Sequence, residues 1–295
     1  MKKVNRKVKL KSSREYPFIY LAPTFIVLIG LVGVPMFNNI VRSFTNNGVF
    51  PVLDQYQRLF KDKVFLNDLK NTFVWLLYTV PFEMLFGLLI AVLLNSNIRF
   101  RKFWRTLFIV PWVIPSIVVC IVWKWIYNAD YGVLNYLLYQ LGIIDKYQLW
   151  VSSPKQALIC VAAVYVWKIT PFVLIMYLSG LQSISADIYE AAKLDGANWF
   201  RQISSITIPL LFPVMRSIIL VSVIWSLNSF VYVYSISGGG PARASEIAQI
   251  FIYKTGIEQF NFEYSAAAAN IFFLIVMAIA AVYIVVTEKK ESTLV

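Results

Sequence analysis

Apolar residues in this chain come in long runs divided by short polar stretches. Neither the two-residue alternation of a half-buried strand nor the narrow stripe of a soluble amphipathic helix is sustained. Six runs are long enough to cross a hydrocarbon core as helices, at about 1.5 Å of rise per residue. They cover 16–41, 71–95, 106–127, 156–180, 208–234 and 264–287. A helix satisfies every backbone group within itself, so the pattern predicts an all-α membrane protein with six transmembrane helices. No repeat of the solenoid kind and no low-complexity linker divides the chain, so one membrane domain spanning 16–287 is expected.

Composition agrees with this pattern. Hydrophobic residues make up 59% and charged residues 14%, against about 25% charged in a soluble domain. A basic tail, 1–15, precedes the first run. That pairing imitates a signal peptide, but the apolar part is too long and no A-x-A site follows it, so it reads as an uncleaved anchor. With the N-terminus inside, the inner segments carry fifteen Lys and Arg residues against nine outside, and the short loop 96–105 has four basic residues and no acidic one. The bias predicts that both termini, including the tail 288–295, are cytoplasmic. The net charge of +12 comes from residues flanking the runs, which points to a lipid bilayer and away from nucleic acid. Histidine is absent, which removes the commonest general base and metal ligand. Cys120 and Cys160 lie inside apolar runs without CxxC spacing and read as small buried side chains. No GxxxxGK[ST] phosphate loop is present; Gly238–Pro241 lacks the lysine and reads as a turn. No catalytic residue, metal site or bound cofactor is therefore expected. An intramembrane enzyme would need a nucleophile and base within the runs. A secondary transporter would show matched, broken halves, and none is visible.

The most informative segment lies between the fourth and fifth runs, at 187–209. From Glu190 it reads EAAKLDGANWFRQISSITIPLLFP. Asp187 with Glu190 three positions later fits a capping box. Gly196 suits a left-handed turn after the helix, a second short helix is expected from Asn198 towards Ser204, and Pro209 opens the next run. On these grounds alone the segment is either a plain connector or a docking element. Its spacing resembles the EAA loop of permease subunits in binding-protein-dependent ABC importers, with Glu190, Ala191, Ala192, Gly196, Ile206 and Pro209 in register. Ile208 stands where leucine is usual. Three other segments, 171–182 (PFVLIMYLSGLQ), 228–241 (NSFVYVYSISGGGP) and 87–95 (GLLIAVLLN), resemble the maltose-type sugar permeases, so the likeness runs from about residue 71 to the C-terminus.

This resemblance implies the type I ABC importer permease fold in a prokaryotic plasma membrane. It also implies a coupling helix in which Glu190, Ala191, Ala192, Asp195, Gly196 and Ala197 meet an ATPase, with Glu190 as the charged contact and Gly196 as the turn. ATP and Mg would then sit on a separate chain. The implied partners are a second permease, two cytoplasmic ATPase subunits, an extracellular or lipid-anchored solute-binding protein and a sugar. Permeases for glycerol phosphate, polyamines or peptides share the loop, and the GGGP region favours the sugar branch.

Charged residues inside membrane runs are costly and are functional suspects by default. Glu83, Lys124, Lys168 and Arg216 qualify. Lys124, between Trp123 and Trp125, is expected to snorkel, Arg216 to reach the inner interface, and Glu83 has no obvious partner. Tyr165, Lys168, Ile169 and Phe172 share one helix face, as do Trp225, Asn228 and Tyr232, and Trp112 and Ser116. Aromatic faces with a few polar groups suit a sugar, although packing aromatics would give the same pattern. By the resemblance, Trp112, Tyr165, Lys168, Ile169, Phe172, Leu227 and Asn228 fall at cavity positions. Lys168 has two open roles: meeting an acidic cargo such as a uronate, a sialic acid or a sugar phosphate, or pairing with a carboxylate or carbonyl of a neighbouring helix.

Overall fold

A computed structural model describes residues 16–291, with side chains from Tyr20 to Thr287. The basic tail expected at 1–15 lies outside the described residues, as do the last four residues of the tail expected at 288–295. The described chain is helical almost throughout. Helices α1 (Tyr16–Leu28) and α2 (Val34–Ser43) join through a π turn, Ile29–Gly33, into the first apolar helix. Short α3 (Asp54–Lys61) leads into α4 (Lys63–Asn95). The third run divides into α5 (Arg101–Val113) and α6 (Ser116–Ile126), and α7 (Val133–Gln140) lies in the following loop. The fourth run is α8 (Ala157–Gln182). Helices α9 (Ala186–Leu194) and α10 (Trp199–Gln202), a π turn at Ile203–Thr207 and α11 (Ile208–Ser226) follow. The chain closes with α12 (Phe230–Ile236), α13 (Ala248–Tyr253) and α14 (Phe262–Glu291).

Five helices are long and apolar enough to cross a membrane, and a sixth if the bent pair α5–α6 counts as one span. Three spans differ from their expectation, the second because its helix begins at Lys63 rather than at residue 71. The run 106–127 is not one rod, because α5 and α6 meet at 95°. Pro115 drives Ile114 into extended backbone (φ −64°, ψ 133°) and has no N–H to give. The fifth helix begins nine residues before the expected start, running without interruption from Trp199 to Ser226, and it stops at residue 226 rather than 234.

Helix α8 is the axis of the bundle. It buries sixteen of its residues, among them Tyr165, Tyr177, Val173 and Leu174. Helix α4 lies along it, and Gly87 permits the approach: a Cβ there would stand 2.5 Å from Val173 Cγ1 and 2.9 Å from Val173 Cβ. Gly180 does the same against α11, where a Cβ would meet Leu211 at 2.8 Å. Small residues at such crossings let membrane helices pack by dispersion in the absence of a hydrophobic drive. By contrast, the first helix is unburied along its apolar window. Its end is tied to α14 through Asn39 Nδ2 donating to Asn270 Oδ1 (3.0 Å) and Asn270 Nδ2 donating to Ser43 Oγ (2.8 Å). Such interhelical bonds contribute about 0.6 kcal/mol each in hydrocarbon.

The loop after α6 is a folded unit. Asn135, fully buried, donates to the carbonyls of Asn128, Ala129 and Gln148 and accepts from Gln148 N (3.0 Å) and Trp150 Nε1 (2.9 Å). On the same side, Glu246 is fully buried between Arg243 (3.2 Å) and Lys254 (2.8 Å), holding the glycine-rich turn 238–241 against the helices. Lys254 also donates to the Gly238 carbonyl (3.0 Å).

Candidate functional site

Two places gather the residues that the sequence singles out. The first is the helix-turn-helix at one end of the bundle. Helix α9 starts with Ser185, whose Oγ accepts from Asp187 N (3.3 Å). The expected capping box of Asp187 and Glu190 is absent, because the serine two residues earlier takes the cap position. The helix ends in a Schellman turn: Ala197 N donates to the Ala192 carbonyl (2.9 Å) and Gly196 N to that of Lys193 (3.0 Å). Gly196 has φ +77°, the left-handed region that glycine enters without strain. Asn198 then caps α10 through Arg201 N (2.9 Å).

Glu190, Ala191, Asp195 and Gly196 are exposed on this projection, as are Leu194, Trp199 and Phe200; Ala192 and Ala197 are half-buried. Leu194 is 90% exposed. The projection is rigidly connected inward. Tyr189 OH shares a hydrogen bond with Thr207 Oγ1 (3.0 Å), and α10 runs on without a break into α11.

The second place is deep in the bundle, where both interrupted spans meet α8. At the α5–α6 break the last carbonyls of α5 lose their helical partners. Lys168 Nζ, on α8, donates to the Trp112 carbonyl at 2.5 Å. Of the two roles open to Lys168, the carbonyl partner is the one observed. At the second break, 227–229, three side chains take over freed groups. Trp75 Nε1 donates to the Ser226 carbonyl (3.1 Å), Gln249 Nε2 to the Leu227 carbonyl, and Asn228 Nδ2 to the Ile224 carbonyl (2.8 Å). Irregular backbone at membrane depth is tolerated where the protein itself satisfies it in this way.

Between the two breaks the aromatic rings converge. Phe172 lies 4.5 Å from Trp225 and 6.0 Å from Trp112, centroid to centroid. Tyr165 meets Tyr232 edge to face at 4.9 Å, and Tyr232 OH bonds Ser116 Oγ at 2.9 Å. Of the expected path residues, Trp112 and Asn228 are exposed and Phe172 half-buried, whereas Tyr165, Lys168, Ile169 and Leu227 are buried. The accessible wall is therefore Trp112, Phe172, Trp225 and Asn228, with the buried four behind it. Such a wall offers ring faces to apolar C–H surface and one amide to hydroxyls; it presents no free charge. Trp75 and Gln249, which hold the second break, were not singled out by sequence. Trp75 does carry a signal in hindsight, the four-residue ladder Trp75, Thr79, Glu83, Gly87 and Ala91 along one face of α4.

The other intramembrane charges are placed differently. Lys124 is exposed. Arg216 Nη1 donates to the Thr287 carbonyl (2.6 Å) and lies over the Phe212 ring. Glu83 is fully buried beside α11. A cavity of about 720 Å³ lies between α4, α5 and α8, lined by Phe82, Phe86, Phe108, Trp167 and other apolar residues. None of the path residues lines it. Among the described residues no cluster of His, Cys, Asp and Glu is suited to a metal ion.

Comparison with known proteins gives a consistent result. Residues 83–288 match the family described as "Binding-protein-dependent transport system inner membrane component". A probable ABC transporter permease protein of Pyrococcus horikoshii is 32% identical over 96% of this chain and 100% of its own length. The trehalose/maltose transport system permease protein MalF of Thermococcus litoralis is 30% identical over 97% of this chain and 96% of its own. A solved bacterial ABC transporter involved in the import of the acidic polysaccharide alginate contains a chain that superposes with a TM-score of 0.84, at 21% identity, over 92% of this chain and 95% of that one.

Proposed function

This chain belongs to the family of binding-protein-dependent transport system inner membrane components, and we propose that it is one permease subunit of an ATP-driven sugar importer. As a member it is a multi-pass membrane permease rather than a catalytic subunit. The observation that carries the finer reading is the pairing of the two places just described. An exposed helix with a glycine turn projects at one end, and a single uninterrupted helix leads from it to the aromatic wall. In this reading Glu190 makes the charged contact with a cytoplasmic ATPase, and Ala191, Ala192, Asp195, Gly196 and Ala197 shape the docking turn. ATP and Mg belong to that separate chain. A second, different permease forms the other half of the path, and an extracellular or lipid-anchored binding protein delivers the cargo. The excess of Lys and Arg on the side of this turn supports a cytoplasmic position for it and for both termini.

The mechanism is a two-state membrane element biased at one end by nucleotide and at the other by cargo. ATP-driven closure of the two ATPases moves α9, and the helix from Trp199 to Ser226 carries that displacement to the site. There, Trp112, Phe172 and Trp225 would stack on the sugar and Asn228 would bond a hydroxyl. Buried Tyr165, Ile169 and Leu227 would support the wall and become cargo contacts only if the bundle reopens. Lys168 holds the Trp112 carbonyl, so an anionic cargo would have to displace it; a neutral sugar makes no such demand. The sugar class draws support from the 30% identity to a trehalose/maltose permease. An acidic sugar, such as a uronate, a sialic acid or a sugar phosphate, would have to meet Lys168 directly, and glycerol phosphate is the alternative solute. In the reconstituted complex, Glu190→Ala and Gly196→Asp are expected to abolish uptake while leaving membrane insertion and basal ATP hydrolysis in place. Wild-type uptake in both would sink the coupling assignment.

A further inference from the structure

Helix α4 ends at Asn95 and α5 begins at Arg101, so the short elbow between these two apolar helices lies at a membrane surface. The elbow and the first turns of α5 sort their side chains into two faces. Arg99, Arg101, Lys102 and Arg105 put four cations into seven residues, and the sequence has no acidic residue between Glu83 and Asp130. On α5, Arg105 stands four residues from Arg101 and three from Lys102, so the three share one cationic patch. An apolar face runs beside it. Phe103 and Trp104 meet Leu107 by four- and three-residue spacing, and Phe100 stands just ahead of them. The exposures of Phe100, Phe103, Trp104 and Leu107 are 69%, 61%, 40% and 48%.

The chain gives these cations no anion. Among the described residues none of the four forms an ion pair. Arg101 is used locally: its Nε donates to the Leu94 carbonyl (2.5 Å) and its Nη2 to Asn95 Oδ1 (3.3 Å), which clips α5 to the end of α4. Arg99 lies over the Phe100 ring at 5.2 Å, a contact that leaves its N–H edge open. Arg105 is half-buried, and its Nε and Nη2 are screened from water yet have no acceptor. A guanidinium carries five donors and cannot shed its charge. Screened charged donors without an acceptor are costly, so the patch calls for an anion from outside the chain. The apolar face indicates its source. A soluble anion would gain nothing from four exposed apolar side chains. A phospholipid would set its phosphate against the cations and its acyl chains along Phe103, Trp104 and Leu107. Rings at the lipid–water boundary with cations reaching out from it are the usual pairing at a membrane surface, and basic clusters beside a membrane helix recognise anionic headgroups.

We infer that the elbow 96–105 is a binding site for the headgroup of an anionic phospholipid, with Lys102 and Arg105 on the phosphate and Arg99 at the rim. The lipid pins the start of α5. Because α5 is continuous from Arg101 to Val113, this sets the depth of its other end, where Trp112 stands at the bend. The site does not depend on what the permease carries.

The test places the permease, with the subunits that co-purify with it, in nanodiscs of equal phosphatidylglycerol and phosphatidylcholine. Native mass spectrometry after gentle release then counts the lipids that stay bound. Wild type is expected to keep phosphatidylglycerol in excess of phosphatidylcholine. Each cation near an anionic surface contributes about fivefold, so Arg105→Gln should lower the retained phosphatidylglycerol about fivefold. The triple variant Arg99→Gln, Lys102→Gln, Arg105→Gln should abolish the excess, and Arg105→Lys, which keeps the charge, should fall between Arg105→Gln and wild type. A control that removes the same charge elsewhere, Lys124→Gln, Lys146→Gln, Lys155→Gln, should retain lipid as wild type does. Inorganic phosphate in the release buffer should leave the lipid in place. Retention of the two lipids in their bulk ratio by wild type would overturn the inference, and that ratio is readable whether or not the variants assemble. An equal loss in the control, or a phosphate adduct in place of the lipid, would overturn it as well, the latter by showing a site for a free anion.

Discussion

The contact of α4 with α8 at Gly87 gives a measurable consequence. Replacing Gly87 by alanine puts a Cβ 2.9 Å from Val173 Cβ and 3.3 Å from the Leu174 amide nitrogen. Val173 is β-branched and stiff at χ1, and its Cβ moves only with the backbone, so the helices themselves must separate. Overpacking of this kind costs about 1–3 kcal/mol. The better helix propensity of alanine returns about 1 kcal/mol. Gly30 supplies the reference, because a Cβ there meets nothing within 4 Å and only the propensity gain applies. The difference between the two substitutions therefore isolates the packing cost, about 1–3 kcal/mol in favour of Gly30→Ala. Because membrane complexes unfold irreversibly, the assay is the half-life of monodisperse purified complex at a fixed elevated temperature. Gly87→Ala is expected to shorten it and Gly30→Ala to leave it unchanged or lengthen it. Equal half-lives would refute the close approach of α4 to α8.

Three further outcomes follow from particular contacts. Lys168→Met leaves the Trp112 carbonyl without its donor and should destabilise the α5–α6 bend by about 1–3 kcal/mol; Lys168→Gln keeps a donor, so for a neutral cargo its uptake should stay close to wild type, and equal damage from both would show that the charge itself matters. Gly196→Ala meets no steric obstacle but must hold φ +77°, a backbone cost of about 1–2 kcal/mol; co-purification should show weaker ATPase retention, with Gly196→Asn intermediate and wild-type retention in both counting against the turn. Lys254→Met removes one of the two cations at buried Glu246 and should cost about 1.5–3 kcal/mol, read as faster heat inactivation; no change would mean that Arg243 alone suffices.

Hydropathy made most of the fold legible, because lipid imposes one rule on every span: a helix of sufficient length with its backbone bonded internally. It could not reveal the two breaks. Pro111 and Pro115 stand four apart in the third run, but proline is common in membrane helices, and only the extended Ile114 distinguishes a bend from a tolerated kink. The break at 227–229 has neither proline nor glycine. It is made by Trp75 and Gln249, which are distant in sequence, so no local pattern announces it. For the same reason Leu227, expected on the path, is buried while its neighbour Asn228 is exposed. The turn at Gly196 is readable because its determinants are local, a glycine and two alanines within one Schellman motif. The cap was misread because Ser185, outside the quoted motif, wins the first-turn amide.

The loop organised by Asn135 carries its scaffold inside itself. All five bonds of that amide close on residues of the same segment, and the join to the bundle is apolar packing by Leu134, Trp150 and Val151, with Trp150 against Tyr127. Such a segment behaves as a cassette: its rim can be rewritten, or exchanged for that of a relative, without reopening the transmembrane core. Changes on that rim can thus accumulate independently of changes in the helical bundle beneath it.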